Sequence, residues 1–478
     1  MDFIANSIFP IFFGLALLMF LAYRGHSIIW IAPLCAAVVA FLSGLPIIQT
    51  YIATGLTPEG TVGIGPGQTL MRSYMRGTAE FFVTWFPAFL FGAIYGKLMD
   101  MTGSARSLAD KVVKLVGQKN AVLAVVLPCM LMTYGGISLF VVVFAIYPMG
   151  YAIYRSSNLP RHLLPAAIAF GAFGITMTTI PGTPQIQNLI PMQSYGVERI
   201  ADLLPSMREG VGTTPMAAVE YSIIGALLMA IPGFLFLDWQ TRKARKLGEN
   251  FVEDPKFTEV PRNEELPSWH WLAGLIPIVT VVVVLNVLRQ HILVALFSGI
   301  ALCCLMNYRQ WKILAPSISQ GANGSLVAIM NTSCAVGFGA VVQLVPGFEI
   351  LSKMMLELGG NILFSQAVAV NVLAGATGSA SGGMSIALTA LAGEYVTKAY
   401  EIAAGDPERF QRILELLHRG AAQASGGLDT LPHNGAVLTL LAVSNLTHKE
   451  SYKGIFVANL LIPTIVSLLL ALVWGFFI

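Results

Sequence analysis

Charge is scarce in this chain. Asp, Glu, Lys and Arg make up 11% of the 478 residues against 55% hydrophobic residues, and the mean hydropathy is +0.71. A soluble globular protein of this length does not carry such a balance, so a multi-pass membrane protein is expected. Long polar stretches are missing as well. The longest runs from Asp238 to Ser268, too short for an independent catalytic domain, so function has to be built from the membrane part itself and enzymes of the soluble kinds are excluded. Cysteine is rare: Cys35, Cys129, Cys303, Cys304 and Cys334 all lie in apolar segments without metal-ligand spacing and read as small packing residues. No metal and no cofactor is expected. The first apolar run follows Met1-Asp2 without a basic leader or a small-residue cleavage site, so it reads as a retained span rather than a signal peptide. The net charge of +3 reflects loop lysines and arginines and gives no reason to expect nucleic-acid binding.

What is present is a set of apolar runs of two lengths. A membrane span takes about 20 apolar residues, whereas runs of about 10 to 14 are more often re-entrant. Full-length candidates fall at 4–22, 28–48, 79–99, 163–190, 217–237, 269–288, 291–307, 322–346, 419–447 and 454–477. Shorter runs come in pairs. Ala121–Met132 and Ile137–Tyr147 are separated by Thr133-Tyr134-Gly135-Gly136, and Ile362–Ala374 and Met384–Ala392 flank Gly375–Gly383. Both pairs read as re-entrant helical hairpins. Placing the N-terminus outside sends most of the 28 Lys and Arg, including Arg242-Lys243-Ala244-Arg245-Lys246, to the cytoplasm, as the positive-inside rule requires. Five crossings then precede the central loop and five follow it, and an odd number inverts the second half relative to the first. The expected architecture is an all-α integral membrane protein with an inverted repeat of five spans plus one hairpin per half. Its parts are a first repeat at 1–237 (hairpin 121–150, broken helix 163–190), a cytoplasmic linker at 238–268, and a second repeat at 269–478 (hairpin 361–395, broken helix 419–447). Both termini would lie outside an inner (plasma) membrane.

Repeated phrases support this parse. Tyr134-Gly135-Gly136-Ile137-Ser138-Leu139 matches Ser381-Gly382-Gly383-Met384-Ser385-Ile386 at an offset of 247 residues (Gly135 to Gly382), and Gly92-Ala93 matches Gly339-Ala340 at the same offset. Thr179-Ile180-Pro181 matches Thr430-Leu431-Pro432, and Ala166–Gly171 resembles Ala421–Gly426. Paired interruptions of apolar segments point to the substrate site of a secondary transporter, because irregular backbone at membrane depth survives only where it is buried in protein or lines a cavity.

Glycine permits tight turns and close approach of a ligand to backbone N–H groups, and helices starting at such turns aim their positive dipole ends at the ligand. A carboxylate suits that setting. The blander reading, close helix packing through small residues, accounts less well for Thr377, Ser379, Ser381 and Ser385, whose hydroxyls packing does not need. In Thr178–Asn188, Pro181, Gly182 and Pro184 break the helical ladder in mid-span. Gln185, Gln187 and Asn188 then serve either the freed carbonyls or a hydroxylated substrate; a proline kink held by local amides is the alternative. Asp429 and His433 occupy the matching region of the second half. An intramembrane ionisable group is a functional candidate by default, and either one suits proton transfer; a structural Asp–His pair is the alternative. The Asn331-Thr332-Ser333 run either lines the cavity or satisfies neighbouring helices. The deep segments assigned to the site contain no Arg or Lys, which disfavours a tricarboxylate.

Three stretches carry a family resemblance: Gly92-Ala93-Ile94-Tyr95-Gly96-Lys97-Leu98-Met99-Asp100-Met101-Thr102-Gly103, Pro181-Gly182-Thr183-Pro184-Gln185-Ile186-Gln187-Asn188, and Ser425-Gly426-Gly427-Leu428-Asp429-Thr430-Leu431-Pro432-His433-Asn434. Together they resemble the gluconate permease family of the ion transporter superfamily. The resemblance implies opposed hairpins and broken helices forming a transport domain beside a scaffold, a homodimer, and proton-coupled uptake of a small hydroxylated organic acid by alternating access. Two features depart from a gluconate carrier: the long outer segment Thr50–Gly77, and short alkyl residues around the second tip, which suit a less hydroxylated acid such as 3-hydroxybutyrate.

The expected function is therefore symport of a small hydroxycarboxylate with a proton carried by Asp429 or His433. Gly135, Gly136 and Ser138 would oppose Thr377, Ser379, Ser381, Gly382, Gly383 and Ser385 at the hairpin tips. Thr179, Gly182, Thr183, Gln185, Asn188, Thr430 and Asn434 would complete the cavity. Sodium coupling is the main alternative. An intramembrane enzyme is disfavoured by the absence of metal-binding or paired-aspartate motifs, and a passive channel by the opposed hairpins.

Overall fold

A computed structural model describes residues 7–24, 26–45, 70–117, 120–204, 210–255 and 267–478. The segment Thr50–Gly77 lies outside the described residues up to position 69, as do positions 256–266 of the linker. Among the described residues the fold is all helical. The first half comprises α1 (Phe9–Tyr23), α2 (Ile28–Leu42), α3 (Leu70–Met101), α4 (Ser104–Val116), a two-helix hairpin of α5 (Ala121–Tyr134) and α6 (Leu139–Ser156), an interrupted helix made of α7 (Leu164–Ala172), α8 (Ile175–Thr178) and α9 (Ile186–Tyr195), then α10 (Val197–Leu203) and α11 (Val219–Lys246). The second half repeats this order. It comprises α12 (Trp271–Asn286), α13 (Ile292–Met306), α14 (Trp311–Val342), α15 (Gly347–Glu357), a hairpin of α16 (Ile362–Thr377) and α17 (Ala380–Ala403), and an interrupted helix made of α18 (Pro407–Ala424) and α19 (Gly435–Val443). Finally α20 (His448–Ile455) runs through the π-helical turn Phe456–Leu461 into α21 (Ile462–Trp474).

Among the described residues, five helical stretches are long and apolar enough to cross a membrane by length and composition: Leu70–Met101, Leu139–Ser156, Val219–Lys246, Tyr308–Val342 and His448–Trp474. Several boundaries differ from those expected. The α3 helix begins at Leu70 rather than 79, because Arg72 and Arg76 interrupt the apolar run without interrupting the helix; Arg76 and Glu80 are four apart and form an exposed ion pair. Likewise α14 begins at Trp311 rather than 322 and ends at Val342 rather than 346.

The outgoing hairpin arms are also longer. The helix α6 runs on to Ser156 rather than stopping near Tyr147, with Pro148 inside it and Tyr151 and Tyr154 buried, which makes it long enough to cross. The helix α17 spans Ala380–Ala403 rather than Met384–Ala392, because Glu394, Lys398 and Glu401 occupy one face while Tyr395, Val396, Ala399 and Ala403 are buried on the other. A hydropathy window stops at charges that an amphipathic helix simply turns outward.

The two 32-residue helices α3 and α14 pack along one another and form the most extensive helix pair among the described residues. Glycine permits the approach: a Cβ at Gly321 would lie 2.7 Å from Ile94 Cα, and one at Gly337 would lie 2.8 Å from the Tyr74 carbonyl oxygen. A smaller apolar core joins α1, α2 and the end of α14, and reaches the second hairpin through Ala376 and Ile386. The main core encloses the first hairpin, both interrupted helices and α21.

The local signals at each interruption are explicit. At the second tip, Gly378 ends α16 in the left-handed region at φ 62°, where a Cβ is disfavoured, and the Ser379 hydroxyl accepts from Gly382 N to start α17. Asn434 starts α19, accepting from Ala436 N at 2.7 Å and Val437 N at 3.0 Å. At the first tip Gly136 takes φ 86°.

Candidate functional site

Both tips and both interruptions border one cavity of about 500 Å³, within the usual size range for a small-molecule site. The first tip contributes Gly136, Ser138, Leu139 and Phe140; the first interruption contributes Pro184, Gln185, Ile186 and Gln187. The second tip contributes Thr377 through Ser381; the second interruption contributes Asp429 and His433 through Ala436. The α3–α14 pair closes one side with Phe89, Gly92, Ala93, Ser325, Ala328, Asn331 and Thr332.

Each tip is fastened to the interruption of its own half. Gln185 Nε2 donates to the carbonyls of Thr133 (2.7 Å) and Ile137 (3.1 Å), Thr183 Oγ1 to that of Tyr134 (3.3 Å), and Tyr134 Oη to that of Pro181 (3.3 Å). In the second half, Asn434 Nδ2 donates to the Gly378 carbonyl at 3.1 Å. Backbone groups released by a broken helix must find partners, and these side chains provide them while holding the tips in place.

Asp429 is 3% and His433 8% exposed, yet Asp429 Oδ1 and His433 Nε2 have no hydrogen-bond partner among the described residues. Buried polar atoms are normally satisfied. Each of these two titratable groups on the cavity wall thus keeps one polar atom positioned for a ligand or a proton. Among the described residues no Asp429–His433 hydrogen bond forms, although the two lie four apart, because Pro432 and the 3-10 turn Leu428–Thr430 replace the α-helix that would have put them on one face.

Of the residues singled out from sequence, Gly136, Ser138, Gln185, Thr377, Ser379, Ser381, Asp429, His433 and Asn434 line the cavity. The others do not. Gly383 is a packing glycine, its missing Cβ directed at the Ala374 backbone of the opposite arm, and Gly135 abuts Ile278. Gly182 takes φ 77° and its carbonyl accepts from Asn286 Nδ2 at 2.7 Å. Gly382 receives its cap from Ser379, and Ser385 is buried away from the cavity with Oγ unpartnered. Thr179 contacts Met229, Thr183 serves the tip, and Thr430 Oγ1 donates to the carbonyls of Gly427 and Asn459.

The remaining residue, Asn188, is held by two basic residues that lie behind the cavity wall, the lining itself containing no Arg or Lys among the described residues. Arg419 is fully buried and donates to Asn188 Oδ1 at 2.7 Å, the Pro215 carbonyl at 2.8 Å and the Ala217 carbonyl at 3.2 Å. His418, also fully buried, bridges Thr213 Oγ1 (2.9 Å) and the Asn188 carbonyl (3.1 Å). Standing at the first position of the apolar run 419–447, Arg419 reads in sequence as an interfacial end; the loop 210–218 that encloses it is not visible in hydropathy. His26 and Ser27 of the α1–α2 turn also border the cavity without a sequence signal.

A curated protein of Bacillus subtilis (strain 168) named uncharacterized transporter YxjC is 35% identical to this chain over 494 aligned positions, covering 94% of this chain and 95% of that one. The chain belongs to this transporter family. No protein-family model matches it. Among solved structures, the Alcanivorax borkumensis YdaH transporter is similar, with a TM-score of 0.52 and 15% identity over 96% of this chain and 97% of that one. That likeness establishes a shared fold over nearly the whole transporter. The cavity thus lies in a multi-pass membrane transporter of all-α architecture.

Proposed function

We propose that this transporter is a proton-coupled symporter importing a small hydroxycarboxylate, a gluconate-like sugar acid or a short hydroxymonocarboxylate such as 3-hydroxybutyrate. The observation that carries the reading is the convergence of both tips and both interruptions on one cavity that also holds Asp429 and His433. Hydroxyls of Ser138, Ser379 and Ser381 and the side-chain oxygen of Gln185 suit a hydroxylated acid, and α17 starts at the second tip with its positive dipole end toward the ligand. In this reading the repeated element order is an inverted repeat in the plasma membrane with both termini outside. The tips and interruptions form a transport domain moving against the α3–α14 scaffold in a homodimer.

The test is uptake into proteoliposomes driven by a pH gradient. Asp429→Asn or His433→Ala is expected to uncouple or abolish uptake, and full pH-driven uptake by both variants would overturn the coupling role. The sodium-coupled alternative is separated by a sodium gradient at constant pH, to which a proton symporter does not respond. A preparation that consumed its substrate chemically without moving it would favour an enzyme. Thermal-shift screening of small carboxylates names the acid, since a ligand of the folded state raises its apparent stability.

A further inference from the structure

Among the described residues Arg419 has the largest completely buried side chain, and its hydrogen bonds go to neutral oxygens: an amide and two backbone carbonyls. Among the described residues no ion pair includes it. Acidic residues on its helix and on the adjacent α11 have other partners. Glu415 accepts from Gln411 Nε2 and Ala218 N, and Glu220 on α11 pairs with Arg412. Burying a charge without a counter-charge is strongly unfavourable, and neutral carbonyls are served equally well by a neutral amide donor at far lower desolvation cost. The charge itself therefore requires an explanation that the internal bonding does not supply.

Its position supplies one. Arg419 stands six residues before the second interruption, which begins at Ser425, but its hydrogen bonds run into the first: through Asn188 Oδ1, and from Asn188 Nδ2 at 2.9 Å to the carbonyl of Thr183. Pro184 and Gln185, the next two residues, are cavity wall. We infer that Arg419 is the fixed positive charge against which this transporter binds an anionic substrate, acting from behind the wall rather than by contact. This rests on the carboxylate reading above and deepens it. A unit charge about 10 Å from a bound carboxylate, acting through an effective dielectric constant near 20, changes affinity roughly tenfold. That suffices to set a preference for a monoanion over its neutral amide while leaving the cavity wall free of basic side chains, so the acid is held weakly enough to be released.

The test uses the purified full-length protein and two acid–amide pairs, 3-hydroxybutyrate with 3-hydroxybutanamide and gluconate with gluconamide, with binding read by thermal shift and by competition in proteoliposome uptake. The measured quantity is the acid-over-amide preference, which a merely structural role would not change because lost packing weakens both ligands alike. Arg419→Lys retains the charge and is expected to retain the preference. Arg419→Gln removes the charge, and Asn188→Asp neutralises it in place with the guanidinium still present; in both the preference is expected to fall roughly tenfold, equivalent to about 1.4 kcal/mol. If Arg419→Gln does not fold, the contrast between Asn188→Asp and Arg419→Lys decides. An unchanged preference in the neutralised variants, with wild type selecting the acid, overturns the inference and leaves the carboxylate reading standing. Wild type that binds neither acid, or binds acid and amide equally, overturns both.

Discussion

Replacing Asn434 by Ser and by Ala separates two tasks carried by one amide. The Oδ1 atom caps α19 by accepting from Ala436 N at 2.7 Å and Val437 N at 3.0 Å, while Nδ2 ties the second interruption to the second tip by donating to the Gly378 carbonyl at 3.1 Å. Serine keeps a capping oxygen but is too short to reach Gly378; alanine loses both functions. An internal hydrogen bond contributes about 1 kcal/mol, and an N-cap side chain about 1 kcal/mol more. Asn434→Ser is thus expected to lose about 1 kcal/mol and Asn434→Ala about 2 kcal/mol, read as successive decreases in the denaturation midpoint of the detergent-solubilised protein. Transport should not follow that order. Releasing the Gly378 carbonyl frees the tip carrying Thr377, Ser379 and Ser381 from the wall carrying His433, so both variants should lose uptake to a similar extent, roughly tenfold, the equivalent of about 1.4 kcal/mol. Wild-type uptake by Asn434→Ser would refute the argument that this bond orders the site, and equal stability of the two variants would refute the assignment of the cap.

Further tests concern packing and the ion pairs. Gly337→Ala forces a Cβ to within 2.8 Å of the Tyr74 carbonyl oxygen in the α3–α14 contact and should cost about 1–3 kcal/mol by overpacking, measured by thermal denaturation. Gly92→Ala meets nothing within 4 Å and faces the cavity; its stability should stay within about 0.5 kcal/mol of wild type while its substrate affinity changes, so a large loss of stability would show Gly92 to be packed. Arg161 and Asp254 form an ion pair at 2.8 Å with side chains 14% and 4% exposed, and Asn445 Nδ2 donates to the same carboxylate at 2.9 Å. Removing one partner of such a buried pair should cost about 3 kcal/mol or more, so Asp254→Ala is expected to destabilise the protein far more than Glu349→Ala, which breaks an exposed pair with Lys353.

Much of the fold was legible because its signals are local. The paired small-residue phrases marked the ends of two hairpins, and the proline-rich run Pro181–Pro184 and the Ser425–Asn434 run marked both interruptions, since Pro removes a donor and Gly tolerates φ values closed to other residues. Hydropathy located the apolar segments but misplaced ends where charge lay on one face of a continuing helix, as at Arg76 and Lys398. The similarity of phrases was a weaker guide to environment. Gly92 faces the cavity, whereas its match Gly339 packs against Ile386, where a Cβ would lie 2.9 Å away. The hydroxyl residues of the second tip divided in the same way: Thr377, Ser379 and Ser381 border the cavity, the Thr377 hydroxyl being directed to carbonyls of its own hairpin, while Ser385 turned into the protein.

The sequence by itself determined that this chain is a multi-pass helical membrane protein, where its helices are interrupted, and which polar residues lie at those interruptions, because the bilayer requires the backbone to satisfy its own hydrogen bonds and leaves few ways to break a helix. Tertiary structure decided which of those residues share a space. Asp429 and Gln185 are far apart in the chain and line one cavity, while Thr179 and Thr430 sit in the interruptions and face away from it. It also decided the surroundings of Arg419, whose neighbours come from α9 and from a loop over 200 residues earlier. Periodicity and composition record how one segment meets its solvent; they do not record which distant carbonyls close around a buried charge.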